Sequence, residues 1–185
     1  TCEAWRREAQ EFYAGQGLID SDKLIGFNIG SAVPEKRWPA ERFAHVADYL
    51  GHLGYKTVFF GGPMDLDMVK PVVEQMKTSP IVATGAFKLG PLAAAMKWCD
   101  LLITNDSGPM HVAISQGVPI VSLYGPSNPF FYGPYQAKSI VLESMDHYEI
   151  GKSMKQVIKE GKYKGISVIT EEQVIKAAET LLQES

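Results

Sequence analysis

Apolar positions along this chain fall into short continuous runs, separated by longer segments in which they recur every three or four residues, and that alternation predicts the elements. Leu24-Ile25-Gly26-Phe27-Asn28-Ile29-Gly30, Thr57-Val58-Phe59-Phe60, Ile81-Val82-Ala83, Leu101-Leu102-Ile103-Thr104 and Ile120-Val121-Ser122-Leu123-Tyr124 have strand length, and several are apolar on both faces. Ser139-Ile140-Val141-Leu142 is a sixth candidate. Helical patterns lie between them. One starts at Trp38-Pro39-Ala40-Glu41, with Pro in the first turn, and runs to Gly51 or Gly54. Another spans Met64 to Lys77, where Pro71 should kink the helix or mark a late start. Pro91 to Trp98 and Pro109 to Gln116 complete the internal set. At the ends, Trp5, Ala9, Phe12 and Tyr13 share a face of an opening helix that stops near Gly15-Gln16-Gly17. Thr170-Glu171-Glu172-Gln173 is a capping box for a closing helix through Val174, Ala177, Ala178, Leu181 and Leu182. Residues 143–165 show no clear period.

Strands alternating with helices through short connections predict an α/β fold: a doubly wound, Rossmann-like parallel sheet with helices on both faces. At 185 residues the chain is long enough for one such core. Residues 23–185 form this domain, and residues 1–22 are a lead-in helix that packs on it or arrives from another domain. A net charge of −3 gives no basic footprint for nucleic acid, so none is expected as a partner. Cys2 and Cys99 are too few for a disulfide framework or a metal quartet. There is no apolar run of about 18 residues and no apolar signal core, so a cytoplasmic protein is expected. The first residue is Thr1 rather than Met, which suggests processing or excision from a longer protein.

Ligands of open α/β sheets sit outside the carboxyl ends of the strands, which directs attention to the loops there. Leu101-Leu102-Ile103 runs into Thr104-Asn105-Asp106-Ser107-Gly108-Pro109-Met110-His111, placing a carboxylate, a hydroxyl and a helix N-terminus at one point. Such a point suits an anion, although the same letters also spell an ordinary helix cap. Ser107 is a candidate N-cap, Gly108 admits close backbone approach, and Pro109 costs nothing in a first turn. His111 lies one turn above Ser107. After the first strand, Ser31 and Lys36 supply a hydroxyl and a flexible cation suited to phosphate. Asp65 and Asp67, after Gly61-Gly62, could accept hydrogen bonds from ribose hydroxyls or simply favour the next helix start.

Lys36-Arg37-Trp38-Pro39, Asn105-Asp106-Ser107-Gly108-Pro109-Met110-His111 and Tyr124-Gly125-Pro126-Ser127-Asn128-Pro129, in this order and at these separations, resemble the lipopolysaccharide heptosyltransferases of glycosyltransferase family 9. The similarity runs from about Leu24 to Leu142, with the closing helix also similar. It is to the second half of that family's two-domain GT-B architecture, the half that binds the nucleotide-sugar donor. The first, acceptor-binding domain has no counterpart in these 185 residues, and the general base is expected there, so no catalytic residue is assigned in this chain. The resemblance implies an inverting, metal-independent transfer, most simply of heptose from ADP-heptose to a lipopolysaccharide core acceptor. It implies that Ser31, Lys36, Ser107 and Gly108 meet the donor diphosphate, and that Asp106 and His111 meet the sugar. Asp65 or Asp67 would meet the ribose, with Phe87 to Leu89 around the base. Ala32 stands where relatives often carry a second hydroxyl. No cofactor is implied beyond the donor itself, and Asp65-Leu66-Asp67 sits at a helix start rather than in the placement of a metal-binding pair.

A non-catalytic nucleotide-sugar-binding domain, or a relative using another donor, is the alternative. A serine hydrolase is disfavoured because no Gly-x-Ser-x-Gly turn is present, and a nicotinamide enzyme because no Gly-x-Gly-x-x-Gly follows the first strand. Lys152, Lys155, Lys159, Lys162 and Lys164 form either a solvated face or a contact for the inner membrane or an anionic acceptor, and the first three share a face if the segment is helical.

Overall fold

The computed structural model describes residues 2–145, 152–161 and 163–184. Helix α1 (Glu3–Gly15) leads into β1 (Leu24–Asn28), α2 (Ala40–His52), β2 (Lys56–Phe60), α3 (Leu66–Gln75) and β3 (Ile81–Val82). Then follow α4 (Leu89–Met96), β4 (Leu101–Asn105), α5 (Gly108–Ser115), β5 (Ile120–Tyr124), α6 (Pro129–Tyr132), β6 (Ser139–Glu143), α7 (Met154–Lys159) and α8 (Glu171–Gln183). The six strands form one parallel sheet in the order β3-β2-β1-β4-β5-β6. This is the doubly wound order, and its switch point lies between β1 and β4.

Strand periodicity divides the core cleanly. Ile25, Phe27, Phe59, Leu101, Ile103, Val121 and Leu123 face one side, where Phe43, Val46 and Leu50 of α2, Val69 of α3 and Val174 and Leu181 of α8 cover them. Leu24, Val58, Phe60, Leu102, Ile120 and Tyr124 face the other, under Ala9 and Tyr13 of α1, Met96 of α4 and Met110 of α5. With both faces covered, β1, β4 and β5 are buried at every position. Helix α1 is an integral part of this packing: Ala9 and Tyr13 are buried, and the Tyr13 hydroxyl donates to the Ala95 carbonyl of α4 at 3.0 Å.

Several local details differ from the sequence reading. The helix after β2 begins with a 3-10 turn, Pro63–Asp65, and continues through Pro71 as α3. Pro71 removes one hydrogen bond, which the apolar face of Val69 and Val72 outweighs. A further 3-10 turn, Pro34–Lys36, precedes α2, and the short α6 follows β5, capped by Asn128. In the aperiodic region, Ser153 and Gln156 form a capping box that opens α7. Because α7 begins at Met154, it carries only Lys155 and Lys159. Lys152 precedes it and bonds the Glu160 carboxylate at 2.6 Å, so the three lysines do not share one helical face. Lys162 lies outside the described residues. Among the described residues, no helix is long and apolar enough to cross a membrane.

Candidate functional site

At the switch point the ends of β1 and β4 are tied together by their asparagines. Asn105 accepts from the Trp38 backbone N–H at 3.1 Å and donates to the Ile29 carbonyl at 2.8 Å, so one side chain holds both ends of the loop after β1. Asn28 donates to Thr104 Oγ1 at 3.2 Å and to Ser107 Oγ at 2.8 Å, bridging in the other direction. An asparagine closing an otherwise apolar buried strand is the sequence signal for this role, since buried amides persist only with partners. Trp38 is itself buried and donates from Nε1 to the Ile169 carbonyl, which anchors the start of α2 to the segment before α8.

This scaffold brings the three motifs to one carboxylate. Lys36 Nζ and Ser127 Oγ both lie 2.5 Å from Asp106 Oδ2. The Asp106 side chain is 6% exposed and that of Lys36 17%, so the pair is largely withdrawn from water. The Lys36 ammonium also lies 5.6 Å from the centre of the Tyr132 ring. The turn carrying Lys36 is fixed from outside by Tyr163, whose hydroxyl donates to the Glu35 carbonyl at 2.6 Å. Burial raises the Tyr163 phenol above its ordinary value and keeps it a neutral donor. Arg37 Nε holds the Ser31 carbonyl at 2.8 Å, while Ser31 Oγ faces the Asp106 carbonyl at 3.5 Å.

Lys36 borders two clefts. One, of about 670 Å³, is lined by Ser31, Lys36, Asp65, Asp106, Ser107, Gly108 and His111, with Asn28 at its base. The other, of about 470 Å³, lies between Lys36, Ser127, Phe131, Tyr132 and the start of α7. Seven of the ten sequence-selected residues thus meet in one cleft. Asp67 instead lines a groove with Val69, Val73 and Val82, Phe87 packs edge-on against Phe12 at 4.8 Å, and Leu89 borders an apolar groove beside His111.

Within the cleft the side chains are not equivalent. Asp65 turns back to accept the Gly62 N–H at 2.8 Å, closing a cap on its own 3-10 turn. Ser107 occupies the N-cap position of α5, but its hydroxyl turns to Asn28 instead of to its own helix. The sequence alone does not single out Ser127, Asn28, Asn105 or Tyr132. Ser127 lies in Pro126-Ser127-Asn128-Pro129, where a serine between two prolines reads as a turn. Its role arises only from contact with Asp106.

Convergence of the three motifs on Asp106 is matched by comparison with known proteins. Residues 2–164 fit the model of glycosyltransferase family 9 (heptosyltransferase). The chain belongs to this family. It is 32% identical over 179 residues to lipopolysaccharide heptosyltransferase 2 of Escherichia coli K12, covering 94% of this chain and 51% of that protein. A family 9 glycosyl transferase from Veillonella parvula DSM 2008 superposes with TM-score 0.95 at 81% identity, covering all of this chain and 53% of the other. E. coli ADP-heptose lipopolysaccharide heptosyltransferase II superposes over the full chain, and over 53% of its own, with TM-score 0.80 at 28% identity. The chain therefore spans about half the length of these family 9 relatives.

Proposed function

We propose that this chain is the donor-binding half of an inverting, metal-independent glycosyltransferase that moves heptose from ADP-heptose to a lipopolysaccharide core acceptor. The observation that carries the reading is the open start of α5: Ser107 and Gly108 face a cleft whose wall is the Lys36–Asp106 pair. A diphosphate leaving group gains negative charge as the glycosidic bond breaks. A cation and oriented N–H donors in a half-buried site stabilise that charge without reorganisation. In this reading Ser31, Lys36, Ser107 and Gly108 hold the diphosphate, and Lys36 exchanges its bond to Asp106 for one to phosphate. Asp106, released from Lys36 but still held by Ser127, accepts sugar hydroxyls. His111 borders the same cleft, and the reading assigns it to the sugar. The base that activates the acceptor belongs to the other half of the architecture. Support for the donor comes from the similarity to E. coli ADP-heptose lipopolysaccharide heptosyltransferase II.

Calorimetric titration of the chain with ADP-, UDP- and GDP-sugars tests this reading. Lys36→Ala should abolish binding of the nucleoside diphosphate itself, whereas Asp106→Asn should weaken only the sugar-bearing ligand. Equal binding by all three proteins removes both assignments. Glycosyl transfer by these 185 residues alone would overturn the placement of the base elsewhere.

The same reading puts the reaction in the cytoplasm, at the inner face of the inner membrane. Lys155, Lys159 and Lys164 are exposed, as are the aromatics Phe130 and Phe131, and cations with aromatics suit an anionic lipid surface. Absence of binding to anionic liposomes at low salt would remove that contact.

A further inference from the structure

Beyond His111 the polar cleft passes into a groove of different character. It holds about 430 Å³ and is lined by Trp5 of α1, Leu89, Gly90 and Ala93 of α4, and Val112 and Ser115 of α5, with His111 shared between the two. Trp5 belongs to no motif. Its indole lies so close to α4 that a Cβ on Gly90 would stand 2.5 Å from the ring, so the glycine is what lets the ring approach the helix backbone. Helix α1 is held there by the buried Ala9 and Tyr13 and by the Tyr13–Ala95 hydrogen bond. With its ring against Gly90, Trp5 is still 41% exposed.

Charge and length decide what such a groove can hold. A phosphate would lose its hydration against Leu89, Ala93 and Val112, and a sugar would leave hydroxyls unpaired there. A nucleobase has flat apolar faces and loses little. Val112 and Ser115 stand four and seven residues beyond Gly108, about 6 and 10 Å along the helix at ~1.5 Å per residue. That is the span over which a ribose separates a base from its diphosphate.

We propose that Trp5 is the stacking wall for the base of a nucleoside diphosphate whose phosphates meet the start of α5, so that base recognition depends on the lead-in helix. This inference rests on the donor reading above. It adds an aromatic residue, from an element outside every motif, that favours a purine through its larger face.

Titration calorimetry with ADP and with ribose 5-diphosphate, which lacks the base, tests it on the wild-type chain, Trp5→Ala, Trp5→Leu and Trp5→Phe. Base–aromatic stacking predicts that Trp5→Ala weakens ADP about tenfold or more while ribose 5-diphosphate binds as before. Trp5→Leu keeps apolar cover over Gly90 and should show the same selective loss even if Trp5→Ala folds poorly, whereas Trp5→Phe should retain most of the affinity. Equal weakening of both ligands, or of neither, by Trp5→Leu overturns the role of Trp5. Equal wild-type affinity for both ligands overturns the base groove alone, and failure of the wild-type chain to bind ADP overturns the donor reading with it.

Discussion

The starts of α3 and α5 are built from similar letters and do opposite things. Both follow a buried strand of one parallel sheet, both contain glycine, proline and aspartate, and both border the same cleft. At α3 the carboxylate of Asp65 folds back onto the Gly62 N–H. It also fills the space beside Gly30 and Gly61, where an added Cβ would stand 2.5 and 2.9 Å from it. This start is internally satisfied and packed shut. At α5 the carboxylate of Asp106 is drawn away by Lys36 and Ser127, and the Ser107 hydroxyl is taken by Asn28. Among the described residues, apart from its chain neighbours and the backbone of its own helix, nothing lies within 4 Å of where a Cβ on Gly108 would be. A helix start whose capping groups are engaged elsewhere keeps its N–H groups for an anion. Aspartate next to a helix start is therefore no sign of a site until its partner is known.

The largest expected effect concerns what holds Asp106 aside. Lys36→Ala strands a carboxylate that is 6% exposed, which should cost about 3–5 kcal/mol in urea denaturation. Adding Asp106→Asn removes the stranded charge, so stability should recover in large part while ADP binding stays lost. Recovery of binding in the double variant would show that the lysine acts only through Asp106.

Next comes the closed start. Gly30→Ala drives a methyl into the Asp65 carboxylate and should destabilise by about 1–3 kcal/mol. Asp65→Ala alone should cost about 1 kcal/mol through the lost cap. The two together should cost less than their sum, because the clash disappears with the carboxylate. Additive denaturation energies would mean that Gly30 is needed for another reason.

Gly108→Ala is the reverse case. The residue has an ordinary φ and open space beside it, so the variant should match or exceed wild-type stability by up to about 1 kcal/mol. Its affinity for ADP should nevertheless fall about tenfold, since the methyl stands where a phosphate approaches. A stable variant with undiminished affinity would move the diphosphate away from this helix.

Ser107→Ala should change thermal stability least, by under about 0.5 kcal/mol. Its hydroxyl does not cap α5, and Asn28 keeps Gly30 and Thr104 as acceptors. A loss near the 1 kcal/mol typical of a capping serine would put the hydroxyl back on its helix and weaken the contrast with Asp65.

Much of the fold was legible in residue order. Six strands, most helices and the parallel, doubly wound arrangement follow from hydrophobic period and from capping and turn residues, which act over a few positions. Two departures, the 3-10 turn before α3 and the helix α7, come from capping groups weaker than the surrounding pattern. Membership of family 9 was legible for a similar reason: its three motifs are contiguous stretches, each complete in itself.

What only the tertiary structure decided is which polar groups pair. Lys36 and Asp106 are 70 residues apart, Asn28 and Ser107 79, and both pairs form because strand order sets β1 beside β4. Asp67 and Phe87 passed as ligand-edge residues in the sequence but lie outside the cleft, because the face each presents depends on the neighbour that covers it. Trp5 read as part of an amphipathic stripe and now borders the groove beside His111. Local order determines elements because hydrophobic period, capping and turn chemistry act over a few positions. The site joins loops distant in sequence, so its geometry is a property of the packed sheet.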